Sequence, residues 1–576
     1  MISAFRRTRP PGTRPHDANP GARPDLRKTT TRKRKMMKPR ITGLALAALF
    51  GAMTTLTLSG CGDDSAKESS KSANAAPARM TVNYASMKDI RDINPHLYLG
   101  EMSAQAMVFE PLVFNTPEGV KPALAESWDI SKDGRTYTFH LRPGVKYTDG
   151  TPFTAESVRQ NIDAILANRT RHAWLDMINE IESHRAVDEL TWELTLKHPY
   201  FPTLIELGLS RPFRFISPRC MKDGGTKDGV SCLAGTGPWV VSEHKRNQYA
   251  VFSRNPGYWG EKPLLESVRW TVMPDAQTML MALQKGEIDL IFGADGDQIT
   301  SNAFESLQKE GKLVSAASAP VASRAILLNS RGAITGDLNV REAIQRAFNR
   351  KAIVEGVLNN VESPAETLFA KNVPGCGVDL AVRPYDLEAA KGYMEKAGWT
   401  PGPDGIRVKD GRRCEVSFYF NSNNAQEKTI AEAMQGDLRA IGIDMKIIGE
   451  EKQAFLDRQR TGKFDLQYSL SWGAPYDPQS YFSSWRIPAH GDYQAQLGLP
   501  EKAELDREIG DLMIEPDEAK RKAMTEHILR TIHDSAVYVP VSYSRTKAVH
   551  VPALHGVSFA VTQYEIPFER MTFEGK

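Results

Sequence analysis

The side chains with the widest covalent repertoire in this 576-residue chain are its five cysteines, and their positions separate one from the other four. Cys61 ends an apolar stretch near the N-terminus, whereas Cys220, Cys232, Cys376 and Cys414 lie in the body of the chain. An even number of thiols in an exported chain pairs readily as disulfides. Cys220 with Cys232 would close a short loop containing Gly224-Gly225, leaving Cys376 with Cys414 as the default second pair; spacing alone leaves the connectivity open. No Cys-x-x-Cys zinc spacing is present, and neither is a His-Glu-x-x-His, Gly-x-Ser-x-Gly or Gly-x-x-x-x-Gly-Lys-Ser/Thr run. Nothing therefore pairs a nucleophile with a base, and the chain reads as a non-enzyme without an intrinsic cofactor.

The first 60 residues are an address rather than a fold. Thr42 to Leu58 is uncharged, and its apolar heart, Leu44 to Phe50, has the length of a signal-peptide core and is too short to span a bilayer. It ends Leu58-Ser59-Gly60-Cys61, which resembles the lipobox at which a bacterial lipoprotein is cut and its cysteine diacylated. An ordinary secretory signal with a coincidental cysteine is the alternative. Met37-Lys38-Pro39-Arg40 would serve as the charged start of such a signal, so translation is expected to begin at Met36 or Met37. Residues 1–60 carry 13 of the 73 Lys and Arg but 2 of the 70 Asp and Glu, leaving 60 against 68, a net charge of −8. The whole-chain net of +3 and pI near 8.4 thus come from the leader, and a nucleic-acid-binding reading loses its electrostatic footprint.

Residues 61–79, rich in Ser, Ala, Lys and Glu, lack apolar periodicity and read as a flexible tether. The remainder is too long for one core and predicts two lobes. Strand and helix signals alternate, which marks an α/β protein. Thr136 to Leu141 and Glu193 to Leu196 alternate polar and apolar side chains as half-buried strands do. Val340, Ala343, Ile344, Ala347 and Phe348 recur at helical spacing, and Asp517 caps another amphipathic run through Ile528. Two apolar, β-rich stretches, around 319–329 and 537–544, look like crossovers. They would make lobe I discontinuous, 80–320 plus 544–576, with lobe II, 321–543, inserted.

The body of the chain resembles a known family along its whole length. Leu124-Ala125-Glu126-Ser127-Trp128, Leu141-Arg142-Pro143-Gly144-Val145 and Asp149-Gly150-Thr151-Pro152-Phe153 look like the signature of family-5 solute-binding proteins. Gly235 to Trp239, Arg254 to Trp259 and Lys396 to Trp399 continue the pattern. The phrases Asn94 to Tyr98, Arg171 to Trp174, Arg211 to Phe215, Trp472 to Pro478 and Glu565 to Glu569 are similar to its nickel-binding branch in particular.

The resemblance implies a large, cluster-C-like periplasmic-binding-protein fold with a cleft between lobes. It also implies a monomeric receptor, anchored to the membrane only by lipid, that hands cargo to an ABC permease of two transmembrane subunits with ATPases. By similarity the cargo contacts are Met102, Arg171, Trp174, Arg211, Trp472 and Tyr476, with His490 as metal ligand and Tyr564 a bulky addition at the cleft mouth. One imidazole cannot satisfy nickel, so the metal would arrive in an organic chelator, such as histidine or an opine-like metallophore, whose carboxylates an arginine grips. A di- or oligopeptide receptor of the same family is the alternative, with Asp477 near where an acid for the peptide amino terminus would be sought.

Overall fold

The computed structural model describes residues 79–293 and 298–573; the leader, Cys61 and all of the tether but Arg79 lie outside them. A mixed sheet runs through the described part. In spatial order its main strands are Trp239–Lys245, Tyr249–Arg254, Ser267–Val272, Thr81–Ser86, Leu290–Gly293, Tyr538–His550, Val314–Leu328, Leu466–Leu470, Glu415–Asn421 and Asp444–Glu450. Parallel pairs occur towards both ends, Thr81–Ser86 on Ser267–Val272 at one and Glu415–Asn421 on Asp444–Glu450 at the other. Between them Val314–Leu328 and Tyr538–His550 run antiparallel to each other and belong to both halves. Val549 and His550 pair with Ile291 and Leu290 on one flank, while Arg324 to Leu328 pairs with Leu470 to Leu466 on the other. These two strands overlap the stretches 319–329 and 537–544 that the sequence marks as crossovers, the first beginning earlier and the second ending later than expected.

Where they cross, Arg324 and Glu362 form an ion pair of 2.8 Å with both side chains fully buried. A buried pair repays its desolvation only if its remaining valences are met. Ser542 Oγ meets one by donating to Glu362 Oε2 at 2.5 Å.

A separate four-stranded sheet is ordered Ala125–Ile130, Thr136–Leu141, Thr191–Leu196, Ile181–Ala186. Its alternation is the one read from the sequence: Tyr137, Phe139 and Leu141 turn inward opposite Leu194 and Trp192. The Phe139 and Trp192 rings lie 5.5 Å apart, and burying each is worth about 2–3 kcal/mol. Helix Ala155–Leu166, whose Thr154 and Ser157 form a reciprocal capping box, packs Val158, Ile162 and Ile165 into the same cluster. That cluster also takes in Tyr481, Phe482, Trp485 and Ile528 from the late helices, so the early sheet and the late helices share one core. The expected helices stand at Leu338–Ala347 and Glu518–Asp534, the latter capped by Asp517 accepting from the Lys520 amide at 2.8 Å.

The cysteines divide otherwise than spacing implied. Cys220 and Cys232 are bonded, with Cα atoms 4.9 Å apart. Cys376 and Cys414 are free and buried, which corrects the second pairing. Cys376 packs in the cluster of Phe369 and Ile528, and Cys414 in a different one with Ile443 and Met445. A disulfide demands near-contact of the two backbones. Burial pushes the Cys414 thiol up to about 12 and raises Cys376 too, so both behave as small apolar side chains.

Candidate functional site

A cavity of about 290 Å³ is lined by Tyr98, Met102, Arg171, Trp174, Arg211, Trp472, Tyr476, His490 and Tyr564. That volume is roughly ten waters' worth. Every candidate cargo contact read from the sequence faces it, and each is held by irregular backbone or an element end. Met102 opens helix Met102–Val108, Arg171 and Trp174 flank the end of the turn Arg169–His172, and His490 precedes helix Gly491–Gln496. The loop of Trp472 and Tyr476 is drawn onto the crossover strand by Ala474 N donating to Val321 O at 2.9 Å. Gly473, at φ +79°, makes that approach possible, because a Cβ there would lie 2.6 Å from Val321 O.

Tyr98 organises one wall. Its hydroxyl accepts from Trp174 Nε1 at 2.6 Å and stands 2.7 Å from His172 Nδ1. An indole N–H can only donate, so the phenol's own proton stays available for His172 Nδ1 in the tautomer that carries its proton on Nε2. Burial, reinforced by the Arg171 charge, holds His172 down to about 4, so its ring is neutral and Nδ1 is free to accept. The guanidinium carbons of Arg171 and Arg211 lie 4.7 and 4.9 Å from the Tyr98 ring centroid. Burial pushes the phenol itself up to about 12. One ring thus positions two cations and an indole. Tyr98 stands in the Asn94 to Tyr98 phrase, and sequence alone gives it no place in the site.

Arg211 spends only one nitrogen on the protein. Its Nη1 donates to Leu97 O at 3.2 Å, Gly100 O at 3.4 Å and Gln105 Oε1 at 3.5 Å. Among the described residues no carboxylate is within ion-pair distance of Arg171 or Arg211, and none lines the cavity. Burial lowers the Arg211 pKa, although a guanidinium stays charged. Two cations facing an aromatic chamber whose lining holds no carboxylate can accept an anion, although Glu101 also acts on Arg211 from outside the lining. On the facing side Trp472 lies 5.2 Å from Trp174 and 5.7 Å from His490, ring to ring, while Tyr564 meets Tyr476 edge-on at 5.8 Å. Burial lowers the His490 pKa against the pull of Asp492, which keeps the imidazole neutral and its lone pair available. Among the described residues no group of three His, Cys, Asp or Glu side chains is placed to hold a metal ion.

Asp477 does not line the cavity. Its carboxyl is buried, accepts from Ser471 Oγ, and is pushed up to about 7 by burial. His96 is internal as well: its ring nitrogens meet Thr226 Oγ1 and Arg214 O at 2.9 Å each, and burial holds it down to about 3.

Residues 119–493 match the bacterial extracellular solute-binding proteins, family 5. The chain is 42% identical over 500 residues to the nickel-binding periplasmic protein of Escherichia coli (strain K12), covering 86% of this chain and 95% of that one. It superposes with a TM-score of 0.84 on NikA from Brucella suis, solved in complex with Fe(III)-EDTA, at 43% identity over 86% of this chain and all of that one. The dipeptide-binding protein of Escherichia coli is more distant, 26% identical over 434 residues, 70% of this chain and 78% of that one.

Proposed function

This chain belongs to the family-5 bacterial extracellular solute-binding proteins, and from that premise we propose that it captures nickel held in a small anionic chelator for an ABC importer. The observation that carries the reading is the pairing of two guanidiniums without an ion-paired carboxylate, Arg171 and Arg211, with a neutral imidazole, His490, across one aromatic chamber. In this mechanism Arg211 grips a chelator carboxylate through its unspent N–H groups and Arg171 takes a second. His490 contributes one nitrogen to the metal and the chelator supplies the rest. Met102, Trp174, Trp472, Tyr476 and Tyr564 close around the apolar surface of the complex. The relatives' names support nickel, and a relative holding a metal–aminocarboxylate complex supports the chelate.

Lobe I, 80–320 with 544–576, would present Arg171, Trp174 and Arg211; lobe II, 321–543, would bring Trp472, Tyr476 and His490 over the cargo. The crossing strands Val314–Leu328 and Tyr538–His550 would be the hinge, and closure the signal read by a permease of two transmembrane subunits with ATPases. The receptor works outside the cytoplasm as a monomer, with lipid on Cys61 as its membrane anchor. The position of Asp477, buried away from the cavity, weighs against the peptide alternative.

Calorimetry with nickel plus histidine, nickel alone and a tripeptide tests the proposal. Tight binding of the first, and weak or no binding of the others, is the expected pattern. A tripeptide that binds where nickel–histidine does not would overturn it.

A further inference from the structure

Glu206, on helix Thr203–Leu207, is a fully buried acid away from the cargo cavity, at the seam where the early sheet meets the late helices. Its Oε1 accepts from the Tyr200 hydroxyl at 2.8 Å on its own side of the seam. From the other side Ser480 Oγ, on helix Gln479–Trp485, approaches the same oxygen at 3.3 Å. Oε2 makes no hydrogen bond of ordinary geometry, the Met177 amide exerting only a minor pull on the carboxyl, and among the described residues no cation lies within ion-pair distance of it.

The charged groups around it are of the wrong sign or already engaged. Asp176 adds negative potential, and its own Oδ2 is unpartnered while Oδ1 stands 3.5 Å from Arg486 Nη2. Glu180 adds to the field at Tyr200 and is bridged to His198 at 2.8 Å. The seam also carries Phe201 N donating to Met513 O at 3.2 Å and Arg521 at 4.8 Å over the Phe201 ring.

We propose that closing the lobes over cargo loads one proton onto Glu206, which the closed state holds as the neutral acid and the open state releases to water. The inference rests on the lobe closure described above and adds a proton to what the receptor binds. A proton on the carboxyl removes an uncompensated charge from the seam. Burial first, then Asp176, pushes the carboxyl up to about 8 against the pull of Tyr200, Ser480 and the Met177 amide. Opened to water, a glutamate titrates near 4.3. A raised carboxyl favours the closed state at low pH. Between about 4.3 and 8, closure takes up one proton and weakens up to tenfold for each unit that pH rises. Below and above that window the dependence vanishes.

Two measurements on the intact receptor test this. Calorimetry of nickel–histidine binding at pH 7, in buffers of different ionisation enthalpy, counts protons exchanged. Wild type should take up close to one proton more than Glu206→Gln, with Asp176→Asn falling between. The second reads closure without cargo, from the distance between probes placed on the two lobes as pH rises from 6 to 9. The closed fraction should fall in wild type and stay level in Glu206→Gln. Equal proton counts, or parallel closure profiles, overturn the proposal. Should nickel–histidine not bind at all, the cargo reading fails, and the closure profiles decide the proton reading independently.

Discussion

Replacing Arg211 by alanine should cost nickel–histidine affinity through one identifiable interaction. A guanidinium carries five N–H groups, and Arg211 hydrogen-bonds the protein only through Nη1, leaving Nε and Nη2 for cargo. A hydrogen bond to a charged group is worth roughly 1.5–3 kcal/mol, so losing the carboxylate grip should weaken binding about 10- to 150-fold. Arg211→Lys keeps the charge without the fork and should lose less than alanine does. Quenching of Trp174 and Trp472 fluorescence, cross-checked by calorimetry, would report the affinity. The decisive control is a nickel complex of histamine, which has the imidazole and amine of histidine but no carboxylate. Wild type should bind it as weakly as Arg211→Ala does, and the variant should lose nothing further. Because Arg211 also braces the Leu97 and Gly100 carbonyls, a melting curve must accompany each variant. Equal losses for the histidine and histamine complexes, or none for either, would refute the assignment of Arg211 to a cargo carboxylate.

Tyr98→Phe keeps the ring beneath both guanidiniums but strands the Trp174 indole N–H, which should cost about 1–3 kcal/mol, shared between melting temperature and nickel–histidine affinity. His490→Ala should abolish a protein imidazole signal from the X-ray absorption spectrum of bound nickel. In the cargo-free wild type, NMR should find that ring titrating below 6.5, since burial disfavours its cation; a midpoint above 6.5 would contradict the stated environment. In Cys61→Ser protein, thiol counting should find Cys376 and Cys414 unreactive when folded and both reactive in denaturant, and reducing the Cys220–Cys232 bond should cost roughly 3 kcal/mol. The same substitution should move the receptor from the membrane to the soluble fraction, and retention at the membrane would exclude a lipid on that sulfur.

How much was legible depends on the range of each interaction. The strand at Thr136–Leu141 and the helix capped by Asp517 repeat every two or 3.6 residues and are readable within a short window. The crossovers at Val314–Leu328 and Tyr538–His550 were legible from the apolar runs Ala325 to Leu328 and Tyr538 to Val541, although the rest of each strand carries Ser, Arg and Lys side chains. Family phrases around Arg171, Arg211 and Trp472 pointed to the chamber without saying what holds it. Tyr98, between two guanidiniums contributed from 73 and 113 residues further on, has no local signal of that role.

Sequence alone therefore determined the element types, the two crossings, the family and the residue types offered to a cargo, since these follow from local periodicity and fixed motifs. Only the tertiary structure decided which of them meet. It put Cys376 and Cys414 into separate cores, turned Asp477 away from the cavity, and left Glu206 without a counter-charge at a seam. Burial is common to all three. Asp477 and Glu206 have partners only six residues away, Ser471 and Tyr200, yet the apolar surroundings that bury these groups, and the Ser480 contact to Glu206, come from chain segments that topology alone brings together.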